Sequence, residues 1–191
     1  MKIVLASKNS GKIEEFNFLL RKTNIELIPI SKFTQEDIDE TGSSYEENAF
    51  IKAEVASRLS GLPAIGDDSG LEVLALDGSP GIYSARYAGE KTNDAMNNQK
   101  LLNAMRDKKE RDAKFISVLS FFDFKSKKSI FTYGELYGEI IDNPRGSEGF
   151  GYDPIFQVKN NHLTLAEMGR NKRMDISHRT ISTNKMIKHL S

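Results

Sequence analysis

The amino terminus limits the fold most. There "KIVLA" (Lys2–Ala6) runs into the polar loop "SKNSGK" (Ser7–Lys12), and Ile13, Phe16, Leu19 and Leu20 then recur at helical spacing. A short β-branched run reads as a buried strand, and the switch to a period near 3.6 reads as an amphipathic helix. The chain therefore opens strand, loop, helix, and "IELIPI" supplies a second strand.

The same reading extends along the sequence. Ser43 or Ser44 with Glu46 or Glu47 three residues on predicts a capping box for a helix to about Ser60, closed by Gly61. "PAIGD" and "LEVLAL" read as strands around a polar turn, and "DGSPGIYSARYAG" as a Gly/Pro-punctuated loop. Met96, Leu101, Leu102 and Met105 predict a helix from Thr92 to about Asp107, and "AKFISVLSFFDF" and "SIFTYGELYGEII" flank "KSKK" as a β-hairpin. The glycine-rich "DNPRGSEGFGYDP" leads to a short strand "IFQV", and Ser177 caps a last helix to Leu190. Strands alternating with helices, followed by a hairpin, predict an α/β fold with a mixed sheet in one domain over 1–191.

Charge and composition narrow the function. Lys plus Arg equal Asp plus Glu, 27 each, so no global field draws the chain onto nucleic acid or an anionic membrane, and neither partner is expected. The absence of cysteine excludes disulfides, thiolate metal sites and thiol nucleophiles, and it fits a cytoplasmic location. The first apolar run is too short for a signal-peptide core or a membrane span.

The loop from Ser7 to Lys12 lies between a strand and a helix, where free backbone N–H groups and the helix dipole favour phosphate. It departs from a Walker A loop: Ala6 stands in place of the first glycine, and Ile13 replaces the hydroxyl residue that would hold magnesium. Ser7, Asn9 and Lys12 suit phosphate oxygens, yet the same residues suit a helix-capping turn with a solvated lysine. Any metal must be held elsewhere. Magnesium and manganese take oxygen ligands, and the candidates are Glu40 in "DETG" and the pair Asp67 and Asp68 in "PAIGDDSGLEV". If the strand ran through the pair, the two side chains would point to opposite faces. Asp68, nearer Ser69 and Gly70, is then the residue for the cleft, with Asp67 supporting it. By itself, however, "DDSG" also reads as an ordinary turn.

Downstream, "GFGYDP" (Gly149–Pro154) mixes aromatics, glycine and a carboxylate. Such a loop can stack a planar base, or its aromatics can plug the core. "RNKRMDISHR" gathers Arg170, Lys172, Arg173, His178 and Arg179. These residues carry donors that suit purine carbonyls or phosphates, and equally a solvated basic face. His162, His178 and His189 lack metal-ligand spacing, and none pairs with a recognisable nucleophile.

Taken together, "SKNSGK", "ETGSSYEENAFIKA", "PAIGDDSGLEV", "PGIYSARYAG", "GFGYDPIF" and "ISHR" follow the order seen in the inosine/xanthosine triphosphate pyrophosphatase family, and the chain resembles it from Met1 to the last helix. The resemblance implies an elongated two-lobed α/β fold with a long mixed sheet flanked by helices, an active-site cleft between the lobes, and a homodimer. It implies magnesium-dependent hydrolysis of ITP, dITP and XTP to the monophosphate and pyrophosphate, with manganese as a substitute ion. Such an activity cleanses the nucleotide pool and keeps these nucleotides out of DNA and RNA.

Carried over by motif, Ser7, Lys8, Asn9, Ser10, Gly11, Lys12 and Lys52 would hold the triphosphate, and Ser69 would contact substrate. Glu40 and Asp68 would bind the metal, and Asp68 would accept the proton of the attacking water. Phe150, Gly151, Tyr152 and Asp153 would stack and orient the base, and His178 and Arg179 would contact its 6-keto edge. This chain departs from the family at Arg173, where a lysine is usual, with Lys172 beside it; a guanidinium fork is wider than an ammonium and would alter base selectivity. The competing readings are a pyrophosphatase for modified pyrimidine triphosphates and a nucleotide-binding module without hydrolysis.

Overall fold

The computed structural model describes residues 1–190. The strand Lys2–Leu5 (β1), the helix Ser10–Leu20 (α1) and the strand Glu26–Pro29 (β2) form as the opening pattern predicts. β1 and β2 lie side by side and parallel, with Ile3 opposite Leu27 and Val4 opposite Ile28. Phe16 and Leu20 supply the buried stripe of α1. The helix Tyr45–Ser60 (α2) starts at Ser44, whose hydroxyl accepts from the backbone N–H of Glu47. It ends at Gly61, whose left-handed backbone (φ 66°) closes the last turn through a bond to the Ser57 carbonyl.

The strand Ala64–Val73 (β3) corrects one expectation. The chain does not turn at Asp67 and Asp68 but runs straight through them, and the strand stops at Val73, so "LEVLAL" does not continue as a strand. Leu74–Leu76 form a 3₁₀ turn with Leu74 65% exposed. The reason is sheet position. β3 lies between β1 and the strand Asp112–Asp123 (β4), and it is buried along almost its whole length. A central strand covered on both faces supplies partners for polar side chains, and the local turn preference of Asp-Ser-Gly is overridden.

The helix Asp94–Met105 (α3) is capped by the Asn93 side chain. β4 is joined to the strand Lys128–Ile140 (β5) by only four residues, 124–127, which requires an antiparallel hairpin. From Thr132 onward β5 alternates buried and exposed positions, the signature of a strand covered on one face. The strand Phe156–Val158 (β6) pairs antiparallel with the end of β5. The sheet order is β2-β1-β3-β4-β5-β6, so the predicted mixed sheet is present. A short helix Arg170–Ile176 (α4) was not anticipated, because its string of charged residues shows no apolar period. Ser177 is extended (φ −62°, ψ 150°) just before the last helix, His178–Leu190 (α5), the backbone conformation expected of a capping residue.

The residues form two compact units, each assembled from separated stretches. The first comprises residues 1–68, 117–134 and 179–190; the second comprises 69–116 and 135–178. In the first, Ile3, Leu5, Phe16, Ile65, Leu119, Phe121 and Met186 make one apolar cluster, and Val4, Ala6, Ile30, Ala56 and Ala64 make another. In the second, Leu71, Leu101, Phe115, Ile155, Phe156 and Leu165 belong to one core.

Gly66 sets the distance between α2 and β3. A Cβ there would lie 2.0 Å from the Ala49 carbonyl oxygen and 2.8 Å from the Ala53 nitrogen, both backbone atoms that cannot swing aside. The Gly66→Ala variant is expected to lose about 3 kcal/mol, the upper range of an overpacked core, in urea unfolding. A loss under about 1 kcal/mol would mean that α2 moves away freely.

Candidate active site

The alternation of β3 decides what each of its acids meets. Ile65 and Asp67 share the face covered by α1 and α5, whereas Ala64, Gly66 and Asp68 share the face covered by α2. The expected divergence of the two carboxylates is therefore present.

Asp67 is sealed in. Its side chain has no exposed area; Oδ1 accepts from the Ser117 hydroxyl at 3.1 Å, and Oδ2 lies 2.8 Å from Lys12 Nζ and 3.4 Å from Arg179 Nε. Burial by itself would push its carboxyl up, but Lys12 and Arg179, together with Lys52 farther off, hold it well below the ordinary carboxylate range. Arg179, 2% exposed, also donates to Glu15 on α1. The Ser117 hydroxyl continues to Ser182 on α5 at 2.8 Å. Asp67 is thus an anionic anchor that ties β3 to α1, β4 and α5.

Asp68 is placed differently. Its Oδ2 accepts from Asn48 Nδ2 at 3.1 Å, and its Oδ1 is 3.6 Å from Lys52 Nζ. Lys52, 7% exposed, lies 2.6 Å from Glu40 Oε1. Asn48 Oδ1 in turn accepts from the Gly42 backbone N–H at 2.8 Å, which pins the loop carrying Glu40 to α2. Burial raises the Asp68 carboxyl above its ordinary value by more than Lys52 lowers it, and the nearby charge of Glu40 adds to the rise. Glu40, Lys52 and Asp68, distant in sequence, converge here.

At the start of α1 the Asn9 side chain accepts from the Lys12 backbone N–H at 3.0 Å, and the Asn9 N–H donates to the Ser7 hydroxyl at 3.2 Å. The loop is thereby shaped, while Lys8, Asn9 and Ser10 remain exposed and Ser7 and Gly11 half-buried. Lys8 points to the Gln35 carbonyl and to Asp37, 3.0 Å away, rather than toward Asp67 or Asp68. Burial lowers the Lys12 ammonium against the pull of Asp67.

In the second unit the loop Gly149–Asp153 is built around its own carboxylate. Asp153 Oδ2 accepts from the Phe150 N–H at 3.1 Å and would collide with any Cβ at Gly149 (φ 83°). The Gly151 N–H donates to Asp94 at 2.7 Å, and its carbonyl accepts from Asn98 at 3.1 Å. Tyr152 takes the core-plugging role: it is 4% exposed and donates to the Ser84 carbonyl at 2.8 Å, so Phe150, half-buried, is the more open ring of the two. Arg173 is buried, with Nε 4.0 Å from Asp153 Oδ2, whereas Lys172 is exposed. His178 stacks on Phe115 with centroids 4.9 Å apart and planes at 11°. Ser69, half-buried, follows Asp68 on β3.

Sequence reasoning passed over Glu15, Asn48, Asp94, Asn98 and Ser117. Two of them carried a signal. Glu15 lies three residues from Lys12, and Asn48 four from Lys52, so each polar pair shares a helix face, and the second lies among Ala49, Ala53 and Ala56 on the buried side of α2.

Known proteins resemble this chain over nearly its whole length. Residues 3–189 match the profile of the Ham1 family. The chain is 44% identical over 182 residues to a Coxiella burnetii protein named dITP/XTP pyrophosphatase, covering 94% of this chain and 91% of that one. It is 44% identical over 183 residues to a Staphylococcus aureus protein of the same name, covering 95% and 92%. The structure of a HAM1 protein from Coxiella burnetii superposes with a TM-score of 0.92 at 42% identity, over 100% of this chain and 98% of that one. The Staphylococcus aureus Ham1 protein gives 0.90, also at 42% identity and with the same coverage. The match in sequence and fold extends over nearly the whole chain, and the chain belongs to the Ham1 family.

Proposed function

We propose that this chain hydrolyses the non-canonical purine nucleoside triphosphates ITP, dITP and XTP to the nucleoside monophosphate and pyrophosphate. The observation that carries the reading is the meeting of Glu40, Lys52 and Asp68 on the α2 face of β3, in the same unit as the anion-favouring start of α1. The names of the curated relatives give two of these substrates, dITP and XTP.

The donor set fits magnesium, or manganese in its place. Both ions prefer oxygen, and magnesium is commonly held by one or two carboxylates together with substrate phosphates and water. Glu40 and Asp68 supply two carboxylates, and among the described residues no group of three acidic or histidine side chains forms a closed cage. When bound, the ion supplies neutralisation of charge on the phosphate oxygens. Lys12, Lys52 and the N–H groups of the Ser7–Gly11 loop bind the triphosphate.

Asp68 takes a proton from water as the water oxygen bonds to the α-phosphorus. The bond from that phosphorus to the bridging oxygen breaks, and pyrophosphate leaves.

Phe150 stacks on the base, and His178 and Arg179 donate toward its 6-keto oxygen, with the guanidinium of Arg173 standing where a lysine is usual. Adenine would present an amino group to those donors and leave them unpaired, a strong penalty in a buried site. Guanine keeps the 6-keto group, so its rejection must also involve the 2-position. The surroundings of Arg179 support a further role, that of counter-ion to Asp67 and Glu15.

The test is a panel of ITP, dITP, XTP, dUTP and the four common nucleotides ranked by kcat/KM, with products identified. The expected result is a preference for the 6-keto, non-guanine purines, pyrophosphate as product, and loss of turnover with a chelator. Orthophosphate release, or a preference for dUTP, overturns the reading.

A further inference from the structure

Lys52 already fills an electrostatic role between two acids. Its side chain crosses the buried face of α2, with Nζ 2.6 Å from Glu40 Oε1 and 3.6 Å from Asp68 Oδ1. One turn earlier Asn48 fixes both sides of this bridge, holding the Gly42 N–H with one amide atom and Asp68 with the other. Two carboxylates brought together, Asp68 buried and Glu40 half-buried, repel each other, and a cation between them compensates both.

Lys52 is therefore more than a ligand for phosphate waiting in solvent. A group cannot bridge two carboxylates and bind a triphosphate with the same donors at full strength. With Glu40, Asp68 and Lys52 all charged, the trio carries one net negative charge. If a divalent cation neutralises the two acids, the ammonium is released with its full positive charge.

We propose that Lys52 is a resident counter-ion that bridges Glu40 and Asp68 in the free protein and is handed to the substrate's phosphates when a divalent cation takes those two carboxylates. The inference rests on the metal reading of Glu40 and Asp68 given above. It makes the ammonium and the metal competitors for the same oxygens. Phosphate, by drawing Lys52 away, removes the competitor, so metal and phosphate each strengthen the binding of the other, and by linkage to the same degree. Metal would then load chiefly together with substrate.

The test measures Mn²⁺ binding by electron paramagnetic resonance without nucleotide, on folded protein checked by circular dichroism. Lys52→Met removes the competing charge and keeps an unbranched chain. It is expected to bind Mn²⁺ about tenfold to a hundredfold more tightly than the wild type, the range of one lost charge-assisted contact. If Lys52 merely held the acids in place, the variant would bind Mn²⁺ no better or worse, and that result overturns the proposal. Should Lys52→Met fail to fold, Lys52→Gln carries the same prediction.

Inorganic pyrophosphate tests the hand-over. It should tighten Mn²⁺ binding, after correction for the free Mn²⁺–pyrophosphate complex, much more in the wild type than in the variant. Equal tightening in both overturns it. Glu40→Gln and Asp68→Asn separate the two levels of the argument: both should weaken Mn²⁺ binding. If neither does, the metal reading fails; if both do while Lys52→Met shows no gain, only the hand-over fails.

Discussion

Replacing Asp68 with asparagine is expected to lower kcat for ITP by roughly a hundredfold to ten-thousandfold, the usual worth of a positioned general base. The fold should survive. Asp68 is 4% exposed, but an amide of nearly the same shape can still meet Asn48, and the loss of one negative charge relieves repulsion from Glu40. The variant should therefore unfold in urea close to the wild type. Near-normal ITP hydrolysis would remove Asp68 from its role, and an unfolded variant would move it from chemistry to architecture. Steady-state kinetics and a urea titration on one preparation decide between these results.

Asp67→Asn should do the opposite, with its largest effect on stability. The side chain is wholly buried against Lys12, Arg179 and Ser117, and its removal as a charge leaves two cations short of a partner. Breaking a buried pair from one side costs about 3–5 kcal/mol, which for a chain of this size is roughly 6–20 °C in Tm. The dependence on pH carries a sign. The carboxyl sits below its ordinary value of 3.8 in the folded state, so its contribution is fully present above that value and is lost as pH falls below it toward the folded-state pKa. The stability gap between wild type and Asp67→Asn should be flat near neutral pH and shrink on acidification below about pH 4. A gap that grew on acidification would contradict an anionic Asp67.

The contrast between these neighbours was partly legible in the sequence. Residues i and i+1 of a strand face opposite ways, so once Asp67 and Asp68 lie on one strand their separation follows. That they do lie on one strand was not legible. Asp, Ser and Gly favour turns locally, and only the presence of β1, β4, α1, α2 and α5 around β3 supplies the partners that make burial of both acids tolerable. His178 and Arg179 teach the same lesson at the start of α5. Successive helical residues point about 100° apart. One stacks on Phe115 in the second unit, while the other pairs with Glu15 and Asp67 in the first. Adjacency in "ISHR" concealed that division.

Other parts needed no tertiary information. Ser44, Gly61, the opening βα pattern and the hairpin are local consequences of capping, backbone freedom and hydrophobic period and formed as read, whereas Ile13 and Leu19 stay half-buried on α1 and the Glu47 carboxylate accepts from Ser43 rather than closing the capping box on Ser44. Such features depend on residues within a turn or two of one another. Sequence by itself determined the order of the longer helices and of the strands other than β3, the α/β class and the residue types available for phosphate, metal and base. Tertiary structure alone decided the pairings: Lys12 with Asp67, Lys52 with Glu40 and Asp68, and Arg179 with Glu15. Those contacts join positions far apart in the chain, and their energies come from burial and low dielectric, which exist only once the sheet and its helices have closed around them.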